Sequence, residues 1–202
     1  MDVDTDIGRQ DSGFEVRSEY RPAPRTWILW AVLAFPLAYI GLVVYVLAAR
    51  HGEIQGQVTG TVDPIQLAVV SVLIVCLMWV HEGVHGIFML ASGARPKFGI
   101  LHVGPVPYAF YTTDPGHRFT RRQFLSVALS PLVILGLLGI PLCMLPFGAY
   151  LVVPFALHLG GCIGDVAISF HVLKYPPTVM CEDLRDGVRF WGPATQVGQA
   201  AG

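Results

Sequence analysis

The sequence contains no asparagine, few charged residues and few cysteines. Only 13% of the 202 residues are charged, 53% are hydrophobic, and the mean hydropathy is +0.58. Soluble globular domains carry about 25% charged residues, so this composition excludes an ordinary soluble protein and indicates a membrane protein. Without asparagine, N-glycosylation is impossible. The net charge of −1 excludes the strongly basic character of nucleic-acid-binding proteins, so we expect no nucleic-acid partner.

The cysteines are scattered along the chain, and most lie in apolar runs. Their spacing fits neither a disulfide framework nor a cysteine-based zinc site. We therefore expect all of them to be packing residues.

Four apolar segments are each long enough to cross a bilayer, which takes about 20 residues. The third begins with a capping-box signal, Thr120 followed by Gln123. The link "PFG" before the fourth segment is short and predicts an antiparallel pair of helices. The predicted spans are Thr26–Ala49, Ile65–Ser92, Gln123–Leu145 and Tyr150–Leu173.

The expected domain organisation is a transmembrane domain over residues 26–175 between two tails. Residues 1–25 are acidic and polar, end at Pro22 and Pro24, and predict a disordered tail without a cleavable signal peptide. Residues 176–202 predict a second tail, in which Asp186-Gly187 is a hairpin-turn signal.

Lysine and arginine are distributed unequally between the two sides of the predicted bundle. The N-terminal tail carries four, the second loop five and the C-terminal tail three, against one in the first loop and none in the third. By the positive-inside rule, both termini and the second loop are cytoplasmic. We expect a multi-pass protein of the plasma membrane.

The second loop contains two β-rich runs, "KFGILHV" and "YAFYTT", on either side of "GPVP". This pattern predicts a β-hairpin at the cytoplasmic membrane face. It also fits an interfacial aromatic belt of Tyr108, Phe110 and Tyr111, and the two interpretations are compatible. The fold class is therefore an all-α membrane protein with four transmembrane helices and a cytoplasmic-face β-hairpin after the second span.

The second span contains "WVHEGVHG", in which His81 and His85 lie four residues apart. On a helix this spacing places both imidazoles on one face, where they can share one zinc ion. Glu82 lies beside them in the position of a general base. Charged groups inside a span are costly and usually functional, so this is the candidate catalytic site.

A catalytic zinc takes a third protein ligand. Depth favours Asp165, because Asp165 and the two histidines lie at similar distances from the cytoplasmic ends of their spans. Gly160 and Gly164 would allow close helix packing near it, and Gly161 would leave room beside it. His158 is a weaker candidate that could instead contact substrate or a proton, and the favoured interpretation of this residue is packing. We expect His171 at the membrane boundary, and His102 and Glu182 at the surface in extended segments. The candidates considered are Asp165, His158, His171, His102 and Glu182.

These motifs resemble the small membrane zincin peptidases related to site-2 proteases. The matching segments are "HEGVHG", "PYAFYTT", "ALSPLVIL", "GGCIGD" and "EDLRDGVRF", over about residues 65–190. The resemblance implies a zinc site at His81, Glu82 and His85. The two histidines would be ligands, Glu82 would be the general base, and Asp165 would be the third ligand. The chain departs from site-2 proteases in lacking their asparagine, and in having Val166 rather than glycine after Asp165.

The sequence therefore predicts a zinc-dependent membrane endopeptidase that cuts peptides or membrane proteins in or near the bilayer. Its site would open to the cytoplasm, with Glu82 catalytic and Tyr108, Phe110 and His158 as substrate contacts. The hairpin could hold substrate by strand addition. A non-catalytic membrane scaffold that binds zinc or a partner protein is the alternative. A transporter is less well supported, because the other spans contain few polar residues and there is no internal repeat.

Overall fold

The computed structural model describes residues 13–51, 63–103 and 106–193, with side chains left undescribed for Pro24 and for residues 101–109. In these residues, five helices are accompanied by two small antiparallel sheets. The helices are α1 (Pro24–His51), α2 (Pro64–Ala91), α3 (Arg121–Cys143), α4 (Ala149–Gly161) and α5 (Ile163–Leu173). The strands are β1 (Phe14–Tyr20), β2 (Lys97–Val103), β3 (Val106–Thr113), β4 (Arg118–Thr120), β5 (Met180–Leu184) and β6 (Gly187–Pro193).

Within the described residues, four helical segments are long and apolar enough to cross a membrane, as the sequence predicts. α1, α2 and α3 are one each, and α4 with α5 makes the fourth. Their outward faces carry large exposed apolar side chains such as Phe35, Ile65 and Leu137. Exposed apolar surface of this extent is suited to contact with lipid.

The predicted capping box and both predicted hairpins are present. The Thr120 side chain accepts from the Gln123 backbone, and the Gln123 side chain accepts from the Thr120 backbone N–H. β2 and β3 pair antiparallel after α2, and β5 and β6 pair around the Asp186-Gly187 turn. Their placement on the cytoplasmic side stays a prediction.

The four-stranded sheet has the order β1-β6-β5-β4. β1 precedes α1, β4 lies between α2 and α3, and β5 and β6 follow α5. The three segments that contain them must therefore lie on the same side of the spanning helices. A buried cluster that includes Phe119, Phe124 and Phe190 joins this sheet to the helix ends.

Within the expected disordered tail, residues 14–20 instead form β1, whereas residues 1–12 lie outside the described residues. β1 pairs along β6 from Phe14↔Pro193 to Tyr20↔Val188, with a bulge between Val16 and Ser18. The sequence conceals this strand because its partner lies about 170 positions away and its charged side chains suit an exposed edge.

The predicted fourth span is present over Ala149–Leu173, with an irregularity at Cys162 that divides it into α4 and α5. α4 ends at Gly161 and α5 begins at Ile163, with Cys162 between them. Two consecutive glycines, each of low helix propensity, precede the break. Asp165 consequently lies in the first turn of α5.

Glycines allow α1 and α4 to approach closely. A Cβ added at Gly160 would lie 2.9 Å from the Ala34 carbonyl oxygen, and one at Gly41 would lie 3.2 Å from Ala156 Cα. A Cβ at Gly161 would meet nothing within 4 Å. Gly160 thus packs closely on α1, whereas Gly161 leaves open space beside α4.

Candidate metal centre

His81 and His85 project from the same face of α2, and their Nε2 atoms lie 3.1 Å apart. The helical spacing of four residues accounts for this placement. His85 is buried, and His81 is partly exposed to a cavity. The two imidazoles are therefore arranged to face a common point.

Asp165 reaches the same point from α5. Its Oδ2 lies 3.5 Å from His81 Nε2, and its Oδ1 lies 3.7 Å from His85 Nε2. The structure thus brings together the two histidines and the aspartate that the sequence singles out.

The ring of His85 is fixed through its second nitrogen. His85 Nδ1 lies 2.9 Å from the carbonyl oxygen of Val127 in α3, and because that oxygen can only accept, Nδ1 carries the donated proton. Nε2 then keeps its lone pair and faces Asp165. Metal-binding histidines in proteins characteristically have such an outer partner.

The donor set fits a zinc ion. Two imidazole nitrogens and one carboxylate oxygen, all within 4.8 Å of one another, form the group His81, His85 and Asp165. Ligand atoms about 2.0–2.1 Å from one tetrahedral zinc lie roughly 3.3 Å apart, close to the distances between these three side chains. Three protein ligands leave a fourth position open, as in catalytic zinc sites.

Thr112 of β3 holds the carboxylate of Glu82. The Thr112 hydroxyl lies 2.8 Å from Glu82 Oε2 and 3.1 Å from the Glu82 carbonyl oxygen. Glu82 is adjacent to His81 in sequence but is not part of the His81, His85 and Asp165 group. Its carboxylate is oriented by the hairpin, not by the helix that carries it.

His158 contacts His81 on the side of the ring away from Asp165. His158 Nε2 lies 3.1 Å from His81 Nδ1, and Cys162 Sγ lies 3.7 Å from His158 Nε2. Counting helical rise would separate His158 from the histidines of α2 by about 10 Å. Helical rise describes backbone positions only, and the imidazole rings of His158 and His81 are nevertheless in contact between α4 and α2.

A cavity of about 440 Å³ connects the metal-ligand group to the sheet side of the molecule. It extends from Leu77 in α2, past Glu82, to the turn between β5 and β6. Phe110 lines it and packs on Trp79, with ring centroids 4.7 Å apart. The side chain of Tyr108 lies outside the described residues, so substrate contact by either aromatic residue stays a prediction.

Asp183 of β5 contributes a further carboxyl group to this cavity. Burial raises the pKa of Asp183 to about 7, the Thr113 hydroxyl opposes the shift, and Asp165 and Glu82 add to it. Near neutral pH this carboxyl is therefore partly protonated in the metal-free protein.

Two of the weaker ligand candidates have other structural roles. Glu182, expected at the surface, is buried and accepts hydrogen bonds from the Gly116 backbone and from Trp191 Nε1, both at 2.9 Å. His171 stacks on Tyr20 with ring centroids 3.7 Å apart. The His102 side chain lies outside the described residues.

Comparison with known families identifies the family of the chain. Residues 74–180 match the family described as "Putative zincin peptidase". The chain belongs to this family. The match covers more than half of the chain and includes Glu82, both histidines of the ligand group and Asp165. No curated protein matches the chain, and no solved structure does.

Zincin family membership agrees with the zinc-suited donor set, but several residues around it were missed from the sequence. Thr112 lies two residues after Phe110 and so shares its face of the strand. Because Phe110 was a predicted substrate contact, this alternation of side chains could have indicated that Thr112 also faces the site. The Val127 carbonyl and Asp183 carry no local signal, because they approach the site only through tertiary packing. For Cys162 the sequence predicts only a packing role, because cysteines in apolar runs are usually inert.

Proposed function

We propose that this zincin-family chain is a zinc-dependent membrane endopeptidase. The observation that carries the proposal is the convergence of His81, His85 and Asp165 beside an oriented glutamate, within helices apolar enough to cross a bilayer. The relation to site-2 proteases that the motifs suggest is part of the same proposal.

His81, His85 and Asp165 would hold the ion through Nε2, Nε2 and the carboxylate. Zinc, when bound, supplies a Lewis acid that polarises a peptide carbonyl and acidifies water. The neighbouring residues set the geometry. Val127 fixes the ring of His85, and α5, which packs on α3 and α1, carries Asp165 to within 3.5 Å of His81 Nε2.

Glu82 is the proposed general base. Thr112 holds Oε2, so we assign proton transfer to Oε1. Oε1 takes a proton from the attacking water and returns it to the departing amine nitrogen, which leaves the carboxylate unchanged at the end of the cycle. Because the donor hydroxyl comes from the hairpin, the base is positioned by the same element that lines the cavity.

The cavity supplies a route for water and substrate. Its lining includes the β5–β6 turn, which carries the exposed residues Arg185 and Asp186. Within the described residues β3 pairs only with β2, and Phe110 to Thr113 line the cavity. An extended peptide could therefore add to the open edge of β3 next to Glu82.

The bias in positive charge supports a cytoplasmic opening and cytoplasmic termini. The sheet joins segments from the N-terminal side, the second loop and the C-terminal side, which carry nearly all lysine and arginine residues. By the positive-inside rule this side faces the cytoplasm of a plasma membrane. The proposed substrates are membrane proteins or peptides that reach the site from the bilayer or the cytoplasm.

Metal analysis combined with peptide cleavage tests the proposal. The purified protein should carry about one zinc per chain, and chelation should abolish cleavage of a library of membrane-derived peptides until zinc is restored. His81→Ala and Asp165→Ala should lose the metal, whereas the matched control His51→Ala, at the end of α1, should keep it. Cleavage that survives complete chelation would rule out the zinc mechanism.

A further inference from the structure

A second set of metal-ligand atoms lies on the opposite side of the His81 ring. It comprises His81 Nδ1, His158 Nε2 and Cys162 Sγ, all within 4.8 Å of one another. The distances are 3.1 Å between the two nitrogens, 3.7 Å from sulfur to His158 and 4.0 Å from sulfur to His81. His158 and Cys162 are four residues apart at the end of α4, so both project towards α2.

The distances and donor types suit a thiophilic cation. Around one tetrahedral zinc, with Zn–N about 2.0–2.1 Å and Zn–S about 2.3 Å, ligand atoms lie roughly 3.3–3.6 Å apart. Thiolate with imidazole selects zinc-like and softer ions over magnesium or calcium. Cys162 is fully buried, and His158 Nδ1 has no hydrogen-bond partner. In the described part of the chain, the polar contacts of His158 are therefore those of its Nε2 with His81 Nδ1 and Cys162 Sγ.

We propose that His81, His158 and Cys162 form a second cation site for a thiophilic divalent ion, and that it competes with the first set for His81. A neutral imidazole has one lone pair and one N–H, so His81 can serve only one of the two sets at a time. With zinc in the first set, Nδ1 carries the proton and donates to His158 Nε2. With a cation in the second set, Nδ1 is the ligand and Nε2 carries the proton.

Exchange between the two states is balanced in protons and charge. The Cys162 thiol loses one proton to solvent as its sulfur binds the incoming divalent ion. The His81 proton changes ring nitrogen, and one zinc ion leaves the first set. Excess thiophilic cation would thereby remove a ligand from the zincin centre and inhibit cleavage. This last consequence rests on the proposed function, whereas the binding site itself does not.

Cadmium titration of the zinc-loaded protein in detergent tests the site. We expect one cadmium to bind per chain, with an ultraviolet cadmium–thiolate charge-transfer band and release of one zinc. Cys162→Ser should lose both the band and the zinc release while still carrying its zinc, which also shows that the variant folds. The matched control Cys76→Ser, an exposed cysteine in α2, should behave as wild type.

Three results would overturn the proposal. A band that persists in Cys162→Ser would place the cation on another thiol. Zinc release without a band would mean that cadmium exchanges within the first set. Absence of both would leave the contact between His81 and His158 as an orienting hydrogen bond only. Glu82→Gln retains every ligand and should titrate as wild type, so failure of the peptidase proposal would leave this result intact.

Discussion

At the residue scale, the side chains of the site are held by partners from other elements. Glu82 and His85 both belong to α2. The Thr112 hydroxyl of the hairpin donates to Glu82, and the Val127 carbonyl of α3 accepts from His85. A glutamate side chain has several rotatable bonds, so an unrestrained carboxylate would seldom point at the reacting atoms. The hairpin therefore contributes to the proposed chemistry without contacting the metal.

Replacing Thr112 tests this positioning. Thr112→Val removes the hydroxyl at nearly constant volume, and a hydrogen bond to a charged group contributes about 1.5–3 kcal/mol. We expect cleavage to fall by about ten- to hundredfold with zinc content unchanged. Thr112→Ser should restore most of the activity. Full activity in the valine variant would show that Glu82 is positioned by other contacts.

The metal ligands were predictable because their signals are local, whereas their supports were not. The spacing of His81 and His85 directly encodes a shared helix face, and a carboxylate such as Asp165 in an apolar run is rare enough to draw attention. Thr112 and Asp183 lie on strands whose distance from α2 depends on the whole fold. The sequence could therefore predict the ion's ligands but not the groups that orient the base.

At the element scale, the junction between α4 and α5 lies at Cys162, and Asp165 follows it in the first turn of α5. The sequence predicts a continuous helix from Tyr150 to Leu173, whereas the structure has α4 and α5 meeting at Cys162, which stays in the right-handed helical region with an irregular ψ of −2°. The close approach of Gly160 to α1 anchors the part of the span before the break. Helix length and hydropathy predict that a span exists, but they contain little information about interruptions within it.

Matched alanine variants test the packing of α4. A Cβ at Gly160 would clash with the Ala34 carbonyl, whereas one at Gly161 would enter open space. We expect Gly160→Ala to lower the free energy of unfolding in detergent by about 1–3 kcal/mol. Gly161→Ala should be neutral or stabilising by up to about 1 kcal/mol, since it gains helix propensity. Equal thermal stabilities would contradict the close packing of α1 and α4.

At the scale of the whole molecule, the four-stranded sheet joins three segments that are far apart in sequence. Charge counts predicted that these segments share one side, and the pairing of β1 with β6 and of β4 with β5 requires it. The sequence did not predict β1 itself, because a strand with an alternating charged face resembles a polar tail until its partner is known.

Cysteine labelling tests the orientation of the molecule. Leu145 lies in the link between α3 and α4, and Arg122 lies at the opposite end of α3. In intact cells a membrane-impermeant maleimide should label Leu145→Cys and should label Arg122→Cys only after permeabilisation. The native sequence, which retains its own cysteines, is the background control. The reverse labelling pattern would place the sheet outside the cell.

The central claim is that Glu82 performs the proton transfer of a zinc peptidase. The most direct measurement compares peptide cleavage by wild type and Glu82→Gln at equal zinc content, because the substitution keeps the shape of the side chain and removes the base. General acid–base groups contribute about 10²–10⁴-fold to rate, so we predict a loss of that size with one zinc per chain retained in both proteins. Equal cleavage rates at equal zinc content would contradict the proposed mechanism.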